Sequence, residues 1–273
     1  MYDSGNALCG FRFGISTGFP LVLLTWHQPF SWKAPLQKRE LRLMKTIGLI
    51  GGMSWESTAV YYKLLNEMTA HRLGGLHSAK IVLFSVDFHE FEQILTEGRW
   101  NDAAKILGGA GLALKNAGAD FLVLCTNTMH KVSEEIETVS GLPLLHIVDV
   151  VGEAIRKQNI RKVGLLGTRY VMEMGFYQER LEERFGVEVQ IPDEKDRAEI
   201  HRVIFDELCK GVLRDDSREA ILSIIGGLVG SGCQGIILGC TEIPILVRPR
   251  DAEIPLFDTT AIHAQAAFER AFS

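Results

Sequence analysis

The chain lacks the features of membrane-spanning, disulfide-stapled and nucleic-acid-binding proteins. No apolar run approaches the roughly 18 residues that a membrane-spanning helix needs. Five cysteines, an odd number spread over 273 residues, do not form the framework of a disulfide-rich domain. Basic residues are not in excess, because 29 Lys and Arg stand against 34 Asp and Glu. The formal net charge of −5 leaves no basic surface for nucleic acid or an anionic membrane. We expect a cytoplasmic protein with reduced cysteines and a small-molecule partner.

Apolar residues are abundant, at 47% of the chain, and charged residues make up an ordinary 23%. This composition predicts a folded chain rather than a disordered one. Residues 1–43 differ from the rest, since they show no helix or strand periodicity and contain Pro20, Pro29 and Pro35. We expect them to be an N-terminal extension outside the fold. A peripheral anchor or targeting arm is the alternative.

From Lys45 onward, short Ile-, Leu- and Val-rich runs alternate with helical patterns. Such runs are typical of strands buried on both faces. The predicted strands are Thr46–Ile50, Lys80–Val86, Asp120–Leu124, Leu144–Val148, Lys162–Leu166, Val187–Gln190, Gly235–Leu238 and Pro255–Phe257. The predicted helices are Trp55–Leu73, Asp102–Asn116, Glu173–Phe185, Asp196–Cys209 and Ser217–Val229. This order predicts an α/β fold with parallel sheets.

The pattern also repeats at a separation of about 110–116 residues. Lys45–Gly51 resembles Lys162–Gly167, and Ala119–Thr126 resembles Gln234–Thr241. We therefore expect two pseudo-symmetric, doubly wound subdomains, each with a parallel sheet of about four strands. Their ranges are 44–148 and 149–258, with a C-terminal helix, 259–273, packing back on the first. Ligands of such sheets bind beyond the carboxyl ends of the strands, so the active site is expected in the cleft between the subdomains.

A Cys-Thr pair ends the same strand in both halves, at Cys125-Thr126 and at Cys240-Thr241. A single buried cysteine is usually just a small apolar residue, but two at equivalent places suggest function. A helix N-terminus would lower the thiol pKa there. A zinc site built from Cys125, His130 and Cys240 is the alternative, although no Cys-x-x-Cys or His-x-x-x-His spacing supports it.

The loop after the first strand, Gly51-Gly52-Met53-Ser54, has two interpretations. It could be a tight turn into a helix that Ser54 caps. Alternatively, its small residues let backbone N–H groups approach an anion.

Residues 44–273 resemble the aspartate/glutamate racemase family, and most closely its bacterial aspartate racemase branch. The matching motifs are Ile47–Thr58, Thr126-Asn-Thr-Met-His130, Leu166-Gly-Thr168, Leu238–Glu242 and Phe257–His263. The resemblance implies two α/β subdomains, a homodimer and an isomerase that racemises amino acids without pyridoxal phosphate or any other cofactor. It also implies no metal, and two residues that act as acid and base on opposite faces of the substrate α-carbon.

One departure from the family concerns the first catalytic position. The family motif is Cys-Asn-Thr, whereas this chain has Thr126-Asn127-Thr128, with Cys125 one place earlier. A displacement of one residue at a strand end turns a side chain to the other face, so we expect Cys125 in the core. The resemblance then assigns catalysis to Thr126 and Cys240.

The same comparison assigns substrate binding to seven residues. These are Gly52, Met53, Ser54, Asn127, Thr128, Thr241 and Glu242. Glu242 stands where the glutamate racemase branch has histidine, which favours the aspartate-type branch, and the resemblance implies aspartate or glutamate as the substrate. Two alternatives stay open: a non-catalytic amino-acid-binding relative, and an enzyme of other specificity such as a maleate isomerase or hydantoin racemase.

Overall fold

A computed structural model describes residues 44–273 of the chain. The predicted N-terminal extension, residues 1–43, lies outside the described residues. The strands are β1 (Ile47–Gly51), β2 (Ile81–Ser85), β3 (Phe121–Leu124), β4 (Lys162–Gly167), β5 (Glu188–Gln190), β6 (Ile236–Gly239) and β7 (Leu256–Asp258). The helices are α1 (Trp55–Leu73), α2 (Phe88–Thr96), α3 (Trp100–Asn116), α4 (Ser133–Ser140), α5 (Ile147–Lys157), α6 (Arg169–Glu173), α7 (Phe176–Phe185), α8 (Glu194–Arg202), α9 (Asp215–Gly230), α10 (Ile243–Leu246) and α11 (Thr259–Ala271).

The seven strands form two separate parallel sheets, which confirms the predicted fold class. The first sheet has the order β2-β1-β3, and the second has the order β5-β4-β6-β7. Every pair is parallel, as crossover connections through helices require. β1, β3 and β6 are buried along their whole length, which explains their continuous apolar sequences.

The first sheet has three strands rather than the four that the sequence predicts. The segment Leu144–Val148 forms only one parallel bridge, between Leu144 and Leu122. Helix α5 then begins at Ile147, and the His146 side chain caps it by accepting the Val148 N–H at 3.2 Å. Ile147 and Val148 therefore belong to a capped helix, and the chain leaves the sheet after the single bridge at Leu144.

Two predicted helices are interrupted in the structure. Glu173–Phe185 is divided at Gly175, whose φ of 77° only glycine adopts readily. Asp196–Cys209 begins as α8 and continues as a single π-helical turn, Val203–Glu207, followed by a short 3₁₀ turn. π-turns inside helices are frequent at functional sites, and this one faces the cleft described below.

The C-terminal helix α11 packs on the first half of the fold. Ala264, Ala267 and Phe268 share a buried cluster with residues of β1, β3 and α1. The small alanines allow a close approach between α11 and these elements. Among residues 44–273, no helix combines the length and apolarity needed to cross a membrane.

Candidate active site

The carboxyl ends of four strands supply the polar residues of one pocket. Ser54 follows β1, Thr126 follows β3, Thr168 follows β4 and Cys240 follows β6. The first two strands belong to one sheet and the last two to the other. The duplicated sequence therefore brings equivalent strand ends of both halves to a single cleft, where ligands of parallel sheets bind.

Thr126 and Cys240 both line this pocket, whereas Cys125 does not. Cys125 is fully buried in the cluster that includes Ala264 and Phe268 of α11. Burial raises the pKa of the Cys125 thiol far above its usual range, so this group stays protonated. The one-residue displacement therefore turns the thiol into the core and the Thr126 side chain toward the cleft.

A buried carboxylate organises the Cys240 side of the pocket. Glu242 is 4% exposed. Its Oε1 accepts hydrogen bonds from the hydroxyls of Ser54 and Ser57, each at 2.8 Å. Its Oε2 accepts the Cys240 thiol at 3.0 Å and the Thr241 hydroxyl at 2.7 Å. Within the described chain no Lys, Arg or His forms an ion pair with Glu242, so its charge is held by neutral donors alone.

The Cys240 thiol does not have the lowered pKa that a helix N-terminus was expected to give it. Burial raises its pKa well above the ordinary value, and the nearby Glu242 carboxylate raises it further. The helix that follows, α10, has only four residues, and its dipole does not offset these two effects. Cys240 is a thiol at neutral pH, hydrogen-bonded to a group that can accept its proton.

Asn127 presents an unpartnered acceptor. The Thr259 hydroxyl donates to the Leu238 carbonyl at 2.9 Å, so it accepts from Nδ2 of Asn127 at 3.0 Å. This chain of donors fixes the amide orientation. Oδ1 of Asn127 is left buried without a hydrogen-bond partner in the described chain. A ligand N–H group would satisfy it.

Two threonines, one from each half, meet across the pocket. Oγ1 of Thr128 lies 3.1 Å from Oγ1 of Thr168. Thr168 also caps α6 by accepting the Val171 N–H. These hydroxyls can both donate and accept, so the pair can present an O–H group to a ligand carboxylate.

The structure does not bring Gly52 to the pocket lining, although Met53 and Ser54 are there. The Gly52 N–H already donates to the Thr58 hydroxyl at 2.9 Å. Its φ is 94°, and a Cβ at this position would collide with the Val86 carbonyl oxygen. Gly52 therefore allows the close approach of the chain to the Val86 backbone, which follows β2. Its N–H is already bonded within the protein and does not face an anion in the pocket.

The same pocket also has an apolar wall that was not predicted from the sequence. It is formed by Phe88, Phe91 and Leu95 of α2, by Tyr170, and by Ile204, Phe205 and Cys209 of the π-turn and the residues after it. The α2 residues have helical spacing that is indistinguishable from a core pattern in sequence alone. Ser57 and Thr168 were also missed as site residues, although both lie within the family motifs.

Three buried histidines lie beside Thr126. Nδ1 of His130 donates to the Thr126 carbonyl at 2.8 Å, and the His130 ring is 4.8 Å from His146 and 5.6 Å from His263. His263 accepts from the Tyr61 hydroxyl and donates to the Leu145 carbonyl. Burial holds the pKa of all three below the usual value, to about 3 for His146 and about 4 for His263.

No three His, Cys, Asp or Glu side chains among residues 44–273 are placed to hold a metal ion. The zinc alternative fails on geometry, because Cys125 lies in the core cluster with α11, whereas Cys240 lines the pocket.

Comparisons with known proteins identify the family of the chain. The profile of the Asp/Glu/hydantoin racemase family matches residues 50–267. A Yersinia pestis structure, provisionally described as an Asp/Glu racemase, is 55% identical, with a TM-score of 0.80 over 84% of this chain and 100% of that one. An aspartate racemase homologue from Pyrococcus horikoshii is 36% identical, with a TM-score of 0.74 and the same coverage.

Curated relatives match over shorter stretches. The broad-specificity amino-acid racemase RacX of Bacillus subtilis is 28% identical over 163 residues, which is 59% of this chain and 68% of RacX. The glutamate racemase of Aquifex aeolicus is 31% identical over 137 residues, half of this chain and about half (51%) of that enzyme. The profile match and the shared two-sheet architecture show that the chain belongs to the Asp/Glu/hydantoin racemase family.

Proposed function

We propose that the chain is a cofactor-independent amino-acid racemase in which Cys240 and Thr126 exchange the α-proton on opposite faces of the substrate. The observation that carries the proposal is that these two groups, from equivalent strand ends of the two halves, line one pocket. Relatives named as aspartate, glutamate and broad-specificity racemases support the reaction class.

The α-ammonium group of the substrate is proposed to bind beside Glu242 and Asn127. A buried carboxylate without a cationic partner is costly, and a substrate cation relieves that cost. The unpartnered Oδ1 of Asn127 offers a second acceptor for the same group. The α-carboxylate then faces the hydroxyls of Thr128 and Thr168, which are 3.1 Å apart.

The proton transfers balance without any cofactor. Glu242 takes the Cys240 proton, and the resulting thiolate removes the substrate α-hydrogen. The Thr126 hydroxyl gives its proton to the opposite face of the carbanion, which produces the other enantiomer. Solvent then returns a proton to Thr126 while Glu242 loses one. Because an alcohol is a much weaker acid than a thiol, and its deprotonated form is scarcely populated at neutral pH, the Thr126 side limits the rate.

Proton NMR in deuterated water tests the proposal. A racemase replaces the α-hydrogen of an L-amino acid with deuterium while the D-enantiomer accumulates. A non-catalytic amino-acid-binding relative gives neither result. Turnover of maleate or of a hydantoin, with no exchange in any amino acid, would assign the pocket to another reaction of the family.

We also propose that turnover needs no pyridoxal phosphate and no metal, since the proton relay above is complete in itself. Activity should survive exhaustive treatment with a chelator and with hydroxylamine. Loss of activity that either cofactor restores contradicts this proposal.

The family resemblance further supports a homodimer. The unpaired state of Cys125, Cys209, Cys233 and Cys240 supports a reducing, cytoplasmic setting.

A further inference from the structure

The pocket lining has a polar part and an apolar part. The residues at the strand ends, Thr126 and Cys240 among them, are mostly polar, and the residues from α2 and the π-turn are mostly apolar. Phe91 and Leu95 of α2 are buried, as is Ile204 of the π-turn, with Phe88 and Phe205 partly buried. The polar part matches the ammonium and carboxylate common to all amino acids, which leaves the apolar part for the side chain that distinguishes one amino acid from another.

The charged side chains of the lining are all acidic. Among the lining residues of the described chain there is no Lys, Arg or His, and the only charged side chains are Glu92 and Glu242. Glu242 is engaged by three hydroxyls and the Cys240 thiol. Glu92 is partly buried and accepts a hydrogen bond from the Thr96 hydroxyl at 2.9 Å. A second substrate carboxylate would meet negative charge and find no cation in this lining.

Two basic residues beside the apolar part of the lining do not change this balance. His201 packs against Phe205 with ring centroids 4.7 Å apart, and its Nδ1 accepts the Arg169 N–H. That hydrogen bond requires an unprotonated Nδ1, so the ring is neutral. The Arg169 guanidinium lies 6.0 Å from the Tyr170 ring centroid, and Arg169 itself is exposed outside the lining.

We infer that the substrate of this site is an amino acid with an uncharged, mainly apolar side chain, rather than aspartate or glutamate. The inference rests on the proposed racemase function and names its substrate class. A distal carboxylate would give up its hydration beside Phe91, Leu95 and Ile204 without a compensating partner. A neutral side chain of the size of methionine or leucine loses no charge solvation and buries apolar surface there.

Substrate pairs that are similar in shape and differ in charge test the inference by α-hydrogen exchange in deuterated water. The pairs are L-glutamine and L-glutamate, L-asparagine and L-aspartate, and L-norleucine and L-lysine, with L-methionine and L-leucine as apolar references. We expect the neutral member of each pair to exchange at least about tenfold faster at equal concentration. Faster exchange of glutamate or aspartate than of its amide overturns the inference, as does a preference for lysine over norleucine. Exchange in none of these compounds contradicts the racemase proposal itself.

Glu92→Gln provides a second test within the protein. Removing this negative charge should raise kcat/KM for L-glutamate relative to L-glutamine by about threefold or more, because one repulsion is lost. Glu90→Gln is the matched control, since Glu90 is exposed on the same helix and lies outside the lining. An unchanged glutamate-to-glutamine ratio in Glu92→Gln, or an equal change in Glu90→Gln, contradicts the role of lining charge in the choice of substrate.

Discussion

Cys125 and Thr126 are adjacent in sequence, but the structure gives them separate environments. Cys125 lies in the core with α11, and Thr126 lines the pocket. Cys125→Ala should therefore leave racemisation nearly intact and lower the free energy of unfolding by about 1 kcal/mol, a typical effect of a core substitution. Chemical denaturation and a racemisation assay on the same preparation measure both quantities. Loss of turnover with unchanged stability would show that Cys125 is the catalytic thiol of the first half.

Glu242 is expected to act on both Cys240 and the substrate. Its carboxylate raises the pKa of the Cys240 thiol, so Glu242→Gln should lower that pKa while weakening amino-acid binding. Alkylation of Cys240 by iodoacetamide, followed by mass spectrometry of its peptide, should show a midpoint at lower pH. The KM for the amino acid should rise in the same variant.

Glu253→Gln is the control for this pair of effects, because Glu253 is exposed. A Cys240 midpoint that stays in place or moves to higher pH in Glu242→Gln contradicts the proposed electrostatic coupling.

At the scale of elements, the periodicity of the sequence predicts α1 with its observed ends and seven of the eight strands to within a residue or two. The elements that were predicted wrongly or not at all have local causes. Leu144–Val148 has a strand-like composition, but the His146 cap starts α5 within it. α2 was not predicted, and its Asp87 cap, which accepts from two backbone N–H groups, is the signal that identifies its start. The π-turn depends on packing around the pocket and leaves no periodic signature.

The buried histidines next to these elements predict acid sensitivity. Their pKa values are lowered in the fold, mainly by burial. The native state keeps them neutral while the unfolded state protonates them below about pH 6.5. Stability should therefore fall as the pH drops from 6.5 to about 4.5. Each such histidine should contribute a slope of about 1.4 kcal/mol per pH unit near pH 5.

His146→Asn isolates one of these contributions. Asparagine keeps a side-chain acceptor for the α5 cap but does not titrate. Urea denaturation at a series of pH values should show a slope reduced by about 1.4 kcal/mol per pH unit relative to the unmodified protein. His77→Asn, at an exposed position, should leave the slope unchanged. Equal slopes in His146→Asn and the unmodified protein would refute the assignment.

For the whole molecule, the internal repeat in the sequence predicts two facing halves and a shared cleft. In the structure, the residues that follow β3 and β6 line one pocket, and they include Asn127, Thr128, Thr241 and Glu242. The side-chain specificity could not be predicted in the same way. It depends on Phe88, Phe91 and Leu95 from one half and on Ile204 and Phe205 from the other, which become neighbours only when the halves fold together.

In the proposed reaction, each half of the fold contributes one proton-transfer group. Cys240→Ala should reduce α-hydrogen exchange by roughly 10²–10⁴-fold, the usual range for a general acid–base residue. Thr126→Cys places a thiol on the first half at the family's position and should retain or raise racemisation. Neither variant, however, distinguishes proton transfer on one face of the substrate from proton transfer on the other.

Thr126→Ala distinguishes proton transfer on the two faces in one measurement, proton NMR combined with chiral analysis of the separate L- and D-forms of a neutral amino acid in deuterated water. Cys240 can still remove and return a proton on its own face. We therefore expect the enantiomer served by Cys240 to exchange its α-hydrogen for deuterium without inversion, while the opposite enantiomer does not accumulate. Continued racemisation by Thr126→Ala at the rate of the unmodified protein would contradict the role of Thr126, because the second proton-transfer group would then lie elsewhere.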